Sequence, residues 1–139
     1  MDNQLTDIER QRMLAQYRSV GIYITEEEGD IIVVRQREII GGFVMTQRQL
    51  LERARVLYPD KRYKIKPVVY QLDLDTVTPE WIQEQMQIYS VRPSDLVAQL
   101  GLTKSEVSLI INGKRPLSRV MRSAFFFYFL AFQLNKELR

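Results

Sequence analysis

Residues Leu102–Ser118 read LTKSEVSLIINGKRPLS. Thr103 is a preferred N-cap type, Val107 and Ile110 lie three apart as on one helical face, and Asn112-Gly113 is a common way for a helix to end. Just upstream, RPSDLVAQLG (92–101) reads as a short helix closed by Gly101. Two helices joined by a three- or four-residue turn containing glycine meet at a steep angle. The second then stands out as a ridge that fits a DNA major groove about 12 Å wide. Leu96, Leu100, Leu102, Val107 and Ile110 would hold the pair together. Lys104, Ser105, Glu106, Ser108, Leu109 and either Ile111 or Asn112 would face outward.

The rest of the chain allows this reading. With 139 residues, 45% of them hydrophobic, it can bury one ordinary core or two small ones. It has no cysteine and no histidine. That removes disulfides, thiolate nucleophiles and the usual zinc and copper ligand sets, and leaves only carboxylate-bound metals such as magnesium or calcium open; no cofactor is expected. The opening MDNQLTDIERQR lacks the apolar run of a secretory signal, and a cytoplasmic protein is the expectation. Charge is unevenly placed: residues 1–75 carry 12 basic and 12 acidic side chains, whereas residues 76–139 carry 8 and 5. Within 92–122, Arg92, Lys104, Lys114, Arg115, Arg119 and Arg122 face only Asp95 and Glu106. Such a basic segment suits nucleic acid, although scattered surface charge reads the same way.

Periodicity divides the chain near residue 75. Residues 3–18 place Leu5, Ile8, Met13 and Leu14 at helical spacing. VGIYIT (20–25) and DIIVVRQ (30–36) are β-branched runs joined by an acidic turn, and Gly41-Gly42 closes that unit. Thr46 caps a helix through QRQLLERARVLY, which stops before Pro59. A strand over 63–75 follows, with Pro67 marking an edge or bulge. The fold class expected is therefore α+β: an N-terminal α-β-β-α-β unit over 1–75, then an all-helical region over 76–139. Asp73, Asp75 and neighbouring threonines read as a polar linker. Thr78-Pro79 starts the first of four helices, the last running from Leu117 towards the C-terminus.

The segment DLVAQLGLTKSEVSLIINGKRPLS resembles the helix-turn-helix of the lambda and 434 repressor family, also called the Cro or XRE type. The resemblance covers about 78–135. It rests on Gly101 at the turn, Thr103 as cap, the Ser105-to-Ser108 start of the second helix, and Asn112-Gly113-Lys114-Arg115 after it. Val97 stands where the family usually keeps a small alanine. The resemblance implies that Lys104 and Ser105 reach base edges, with lysine favouring guanine, and that Ser108 touches base or phosphate. Leu109 falls at a base-reading position, where it would meet a thymine methyl or else pack inward. Arg92, Thr103, Asn112, Lys114, Arg115 and Arg119 would hold phosphates.

AFFFYFLAF (124–132) is apolar around a whole helix, yet too short for the ~20 residues that a membrane span needs. It must be buried on more than one side, either within one chain or in a homodimer through the Phe125–Phe132 segment. Repressors of this kind usually read two half-sites by two-fold symmetry. Residues 1–75 hold no nucleophile-and-base set and no phosphate-loop motif, so no enzyme activity is expected and an oligomerisation, effector or protein-partner module is. Glu26, Glu27, Glu28 and Asp30 read as a solvated hairpin tip. Arg35, Arg37, Arg48, Arg53, Arg55 and the lysines of 61–66 offer a second nucleic-acid surface, balanced in number by acidic residues. The function expected is a transcriptional repressor that binds double-stranded DNA as a dimer on a palindromic operator. The alternative is an antitoxin-like or phage-encoded interaction protein with autoregulatory DNA binding.

Overall fold

The computed structural model describes residues 5–137, and the chain divides into two compact units, Met1–Gln71 and Leu72–Arg139. It is a mixed α+β protein: among the described residues, three strands lie in the N-terminal half, and four of six α-helices lie in the C-terminal half. Positions 3 and 4 of the first expected helix lie outside the described residues.

The first unit runs α1 (Asp7–Ser19), β1 (Ile22–Glu27), β2 (Ile31–Gln36), α2 (Gln47–Leu57) and β3 (Lys64–Val68). Thr6 caps α1, its Oγ1 accepting from Glu9 N, and α2 begins with a reciprocal cap between Thr46 and Gln49. The sheet order is β1-β2-β3, with β1 antiparallel and β3 parallel to β2. A parallel pair needs a crossover, and α2 supplies it. Helix α2 packs on β2 and β3 while α1 packs on β1. The face they cover carries Ile22, Ile32 and Val34, against which Leu50, Ala54 and Leu57 of α2 are buried. The expected apolar stripe of α1 is only partly used: Leu5, Met13 and Leu14 pack on the core, whereas Ile8 is 73% exposed.

Two details tie the segment 37–45 to the sheet. Gln36 is buried, and its amide donates to the carbonyls of Phe43 (2.7 Å) and Glu38 (3.3 Å) while its Oε1 accepts from Met45 N (2.8 Å). Gly21, at φ +85°, lets the chain pass so close that a Cβ there would stand 2.3 Å from the Glu38 carbonyl oxygen.

Strand β3 ends at Val68, seven residues short of the expected span. Alternation continues through Tyr70, Leu72 and Leu74, but pairing with β2 stops at Arg35–Val68, and among the described residues no further strand pairs with this segment. Pro67, which has no N–H, lies in this edge strand. The expected linker is instead partly ordered into the second unit. Leu74–Thr76 form a 3-10 turn, opened by Asp73 Oδ1 accepting from Asp75 N, and the half-buried Arg122 donates to the Leu74 carbonyl at 3.0 Å.

The second unit holds α3 (Pro79–Ile88), α4 (Pro93–Leu100), α5 (Lys104–Ile111) and α6 (Arg119–Glu137). Its core is Val77, Ile82, Met86, Val91, Leu96, Val107, Ile110, Phe125 and Phe129. Each helix contributes a stripe, and Trp81 meets Phe129 edge to face at 5.6 Å. Truncating a fully buried member such as Leu96 or Ile110 to alanine would cost about 2–5 kcal/mol. The all-round apolar run of α6 is divided: Phe125 and Phe129 lie in this core, whereas Phe127 is 44% exposed and Val120 79%. Among the described residues no helix is long and apolar enough to cross a membrane.

Candidate nucleic-acid interface

Helices α4 and α5 are joined by three residues, Gly101, Leu102 and Thr103, with Gly101 left-handed at φ +71°. A Cβ on Gly101 would meet nothing within 4 Å, so the backbone angle, not space, calls for glycine there. Thr103 Oγ1 accepts from Glu106 N (3.1 Å), and Glu106 Oε1 accepts from Thr103 N (3.2 Å). This reciprocal cap fixes where α5 begins. Its end is set equally firmly, because Lys114 N donates to the Leu109 carbonyl (2.8 Å) and Gly113 N to that of Ile110 (3.1 Å). Val107 and Ile110 point inward with Leu96, which settles the rotation of α5.

That rotation leaves Lys104, Ser105, Ser108 and Leu109 exposed, and these four line one shallow surface depression. Leu109 is 39% exposed and lies outside the core. Of the two outward candidates at the end of the helix, Asn112 is exposed and Ile111 is half-buried. A groove of about 380 Å³ runs between α4 and α5, lined by the apolar Val97, Val107 and Ile111 and the polar Lys104, Ser108 and Asn112. Ser94, which sequence reasoning does not single out, also lines it. The signal for Ser94 was its place in the first turn of α4, one position beyond Pro93.

Arg92 is exposed at the N-cap of α4, where its N–H donates to Asp95 Oδ2 at 2.8 Å. Thr103 is exposed but its oxygen is engaged in the cap. Lys114 is exposed and, among the described residues, has no ion-pair partner. Arg119 is exposed at the first position of α6. Arg115 is held by Glu106: its Nη1 lies 3.2 Å from Glu106 Oε2, so its charge is answered within the protein. The Thr103 N–H, the Thr103 hydroxyl and then Arg115 hold the Glu106 carboxyl below its ordinary pKa, and it is ionised at neutral pH. Arg122, counted in the basic segment, spends its guanidinium on the carbonyls of Leu74 and Leu117.

No protein-family model matches the chain, and neither a curated protein nor a solved structure matches it.

Proposed function

We propose that the second unit is a lambda-repressor-like helix-turn-helix domain that reads double-stranded DNA through α5, and that the protein is a transcriptional repressor. The observation that carries this reading is the grouping of Lys104, Ser105, Ser108 and Leu109 on the exposed side of a helix whose opposite side is locked into the core. A lysine, two hydroxyls and an isolated apolar side chain are what base edges in a major groove accept: guanine O6 and N7, mixed donors and acceptors, and a thymine methyl. Arg92, Lys114 and Arg119 then supply phosphate contacts without sequence preference. Binding as a two-fold dimer on a palindromic site would double those contacts. Since Phe125 and Phe129 are taken up by the domain's own core, the part of α6 left for a second copy is the stripe of Val120, Ala124, Phe127 and Ala131.

The test is selection of duplexes from a random pool, followed by titration of the winning sequence against salt. The expected result is an enriched palindrome, bound far more tightly than the ~10⁻⁴–10⁻⁶ M of non-specific association. Lys104→Ala should weaken that binding by about 1–3 kcal/mol and relax preference at one position, while Lys114→Ala weakens all duplexes alike. Absence of any enriched sequence would overturn the reading.

A further inference from the structure

Charges that balance in number along the first half of the chain do not balance on its surface. The sheet has one face against α1 and α2 and a second that neither helix covers. The register places three rows on the second face: Tyr23, Arg35 and Val68; Thr25, Val33 and Lys66; Glu27, Ile31 and Lys64. Arg37 follows Arg35 at the same side, its guanidinium 4.8 Å above the Tyr23 ring. Arg35, Arg37, Lys64 and Lys66 are all exposed, and among the described residues none has an ion-pair partner. Glu27 is the single carboxylate in those rows. Three other carboxylates of this unit are engaged elsewhere: Glu26, on the helix side, accepts from Tyr58 Oη at 2.7 Å, and Asp60 and Glu52 pair with Arg62 and Arg48. Glu28 and Asp30 sit in the turn beyond the rows, and Glu38 follows Arg37.

Two shallow depressions share Arg35 and Arg37. One, of about 180 Å³, includes Tyr23, Thr25 and Val33; the other, of about 250 Å³, includes Val68 and Gln71. We infer that this open sheet face is a second nucleic-acid site, which takes a single strand. A duplex would offer it phosphates only. A single strand offers phosphates to Arg35, Lys64 and Lys66 and also base faces to the Arg37–Tyr23 stack, which is the combination that single-strand binders use. Neighbouring strands lie about 4.8 Å apart and alternate residues about 6.6 Å, so the four cations span a strip that several nucleotides can follow. The inference stands on the first unit alone and is independent of what α5 binds.

The experiment uses the full chain and a labelled oligothymidylate of about 16 nucleotides, titrated across a range of salt, beside an abasic strand of equal length. The variants are Arg35→Gln with Lys66→Gln together, both exposed and unpaired, and Lys104→Ala as a control in α5. The wild type should bind the thymidylate more tightly than the abasic strand. Each phosphate that a variant no longer neutralises lowers the salt slope by about 0.7, so two lost contacts lower it by about 1.4, and the double variant's loss of affinity relative to the wild type should be about 25-fold larger at 0.1 M than at 1 M salt. Lys104→Ala should leave single-strand affinity unchanged. Absence of binding by the wild type, an unchanged salt slope in the double variant, or a loss confined to Lys104→Ala would each overturn the assignment.

Discussion

Replacing Glu106 with glutamine separates two roles that one carboxylate now fills. Its Oε1 accepts the Thr103 N–H at the start of α5, and its Oε2 holds Arg115 at 3.2 Å. Glutamine keeps an acceptor for the cap but carries no charge, so Glu106→Gln retains the start of the helix and releases the guanidinium. The pair lies near the surface, with side-chain exposures of 46% and 35%. Solvent screens such a pair, so it contributes little to stability and the denaturation midpoint should hardly move. DNA binding should move in the opposite direction, because each chain loses a repelling carboxylate and gains a free cation beside the proposed contact surface. One more phosphate contact per chain steepens the dependence of log affinity on log salt by about 0.9, so in a two-fold dimer, with two such contacts, raising salt from about 50 to 200 mM should cost the variant about 12-fold more affinity than the wild type. At the low-salt end the variant should bind more tightly. Anisotropy titrations of one duplex at three salt concentrations measure both quantities. A salt slope equal to the wild type's, or weaker binding throughout, would refute the placement of Arg115 beside DNA.

Gly101→Ala should cost about 1–2 kcal/mol, the expense of a left-handed residue in open space. Gly21→Ala should cost more, because its Cβ would also strike the Glu38 carbonyl; urea midpoints of the two variants rank them. Gln36→Leu leaves the Met45 N–H and the Phe43 carbonyl without partners, at about 1–3 kcal/mol for each, and hydrogen exchange at Met45 should quicken. Substituting deoxyuridine for thymidine at the contacted position of a selected duplex removes one methyl and should weaken binding by about 0.8 kcal/mol. In Leu109→Ala the same substitution should have no effect, and an equal loss in both proteins would place Leu109 away from the base. Acid should loosen the start of α5. Since the folded protein holds the Glu106 pKa below its ordinary 4.5, its contribution is complete above that value and is lost as pH falls through the depressed one. The acid limb of stability should therefore be shallower in Glu106→Gln.

Much of the candidate site was legible in local chemistry. Thr103, Gly101 and Gly113 act through their own backbone or that of residues at most four away, and the spacing of Val107 and Ile110 sets the outward residues of α5. Arg115 and Arg122 were not legible. Both count as basic in the chain, but Arg115 meets a carboxylate nine residues earlier and Arg122 a carbonyl 48 residues earlier. Pairings at such separations depend on how helices pack, which composition does not record.

The same contrast holds for the fold. Sequence by itself determined the change from β-branched runs to helical stripes near residue 75, the caps at Thr46, Thr78 and Thr103, and the glycine turn at 101, because propensity and capping are short-range effects. Only tertiary structure decided that β3 stops at Val68, since a strand lasts only as long as a neighbour accepts its hydrogen bonds. Only tertiary structure divided AFFFYFLAF into a buried side and an exposed one. It also gathered Arg35, Arg37, Lys64 and Lys66 on one sheet face, because strand register brings together residues that lie about 30 positions apart in the chain.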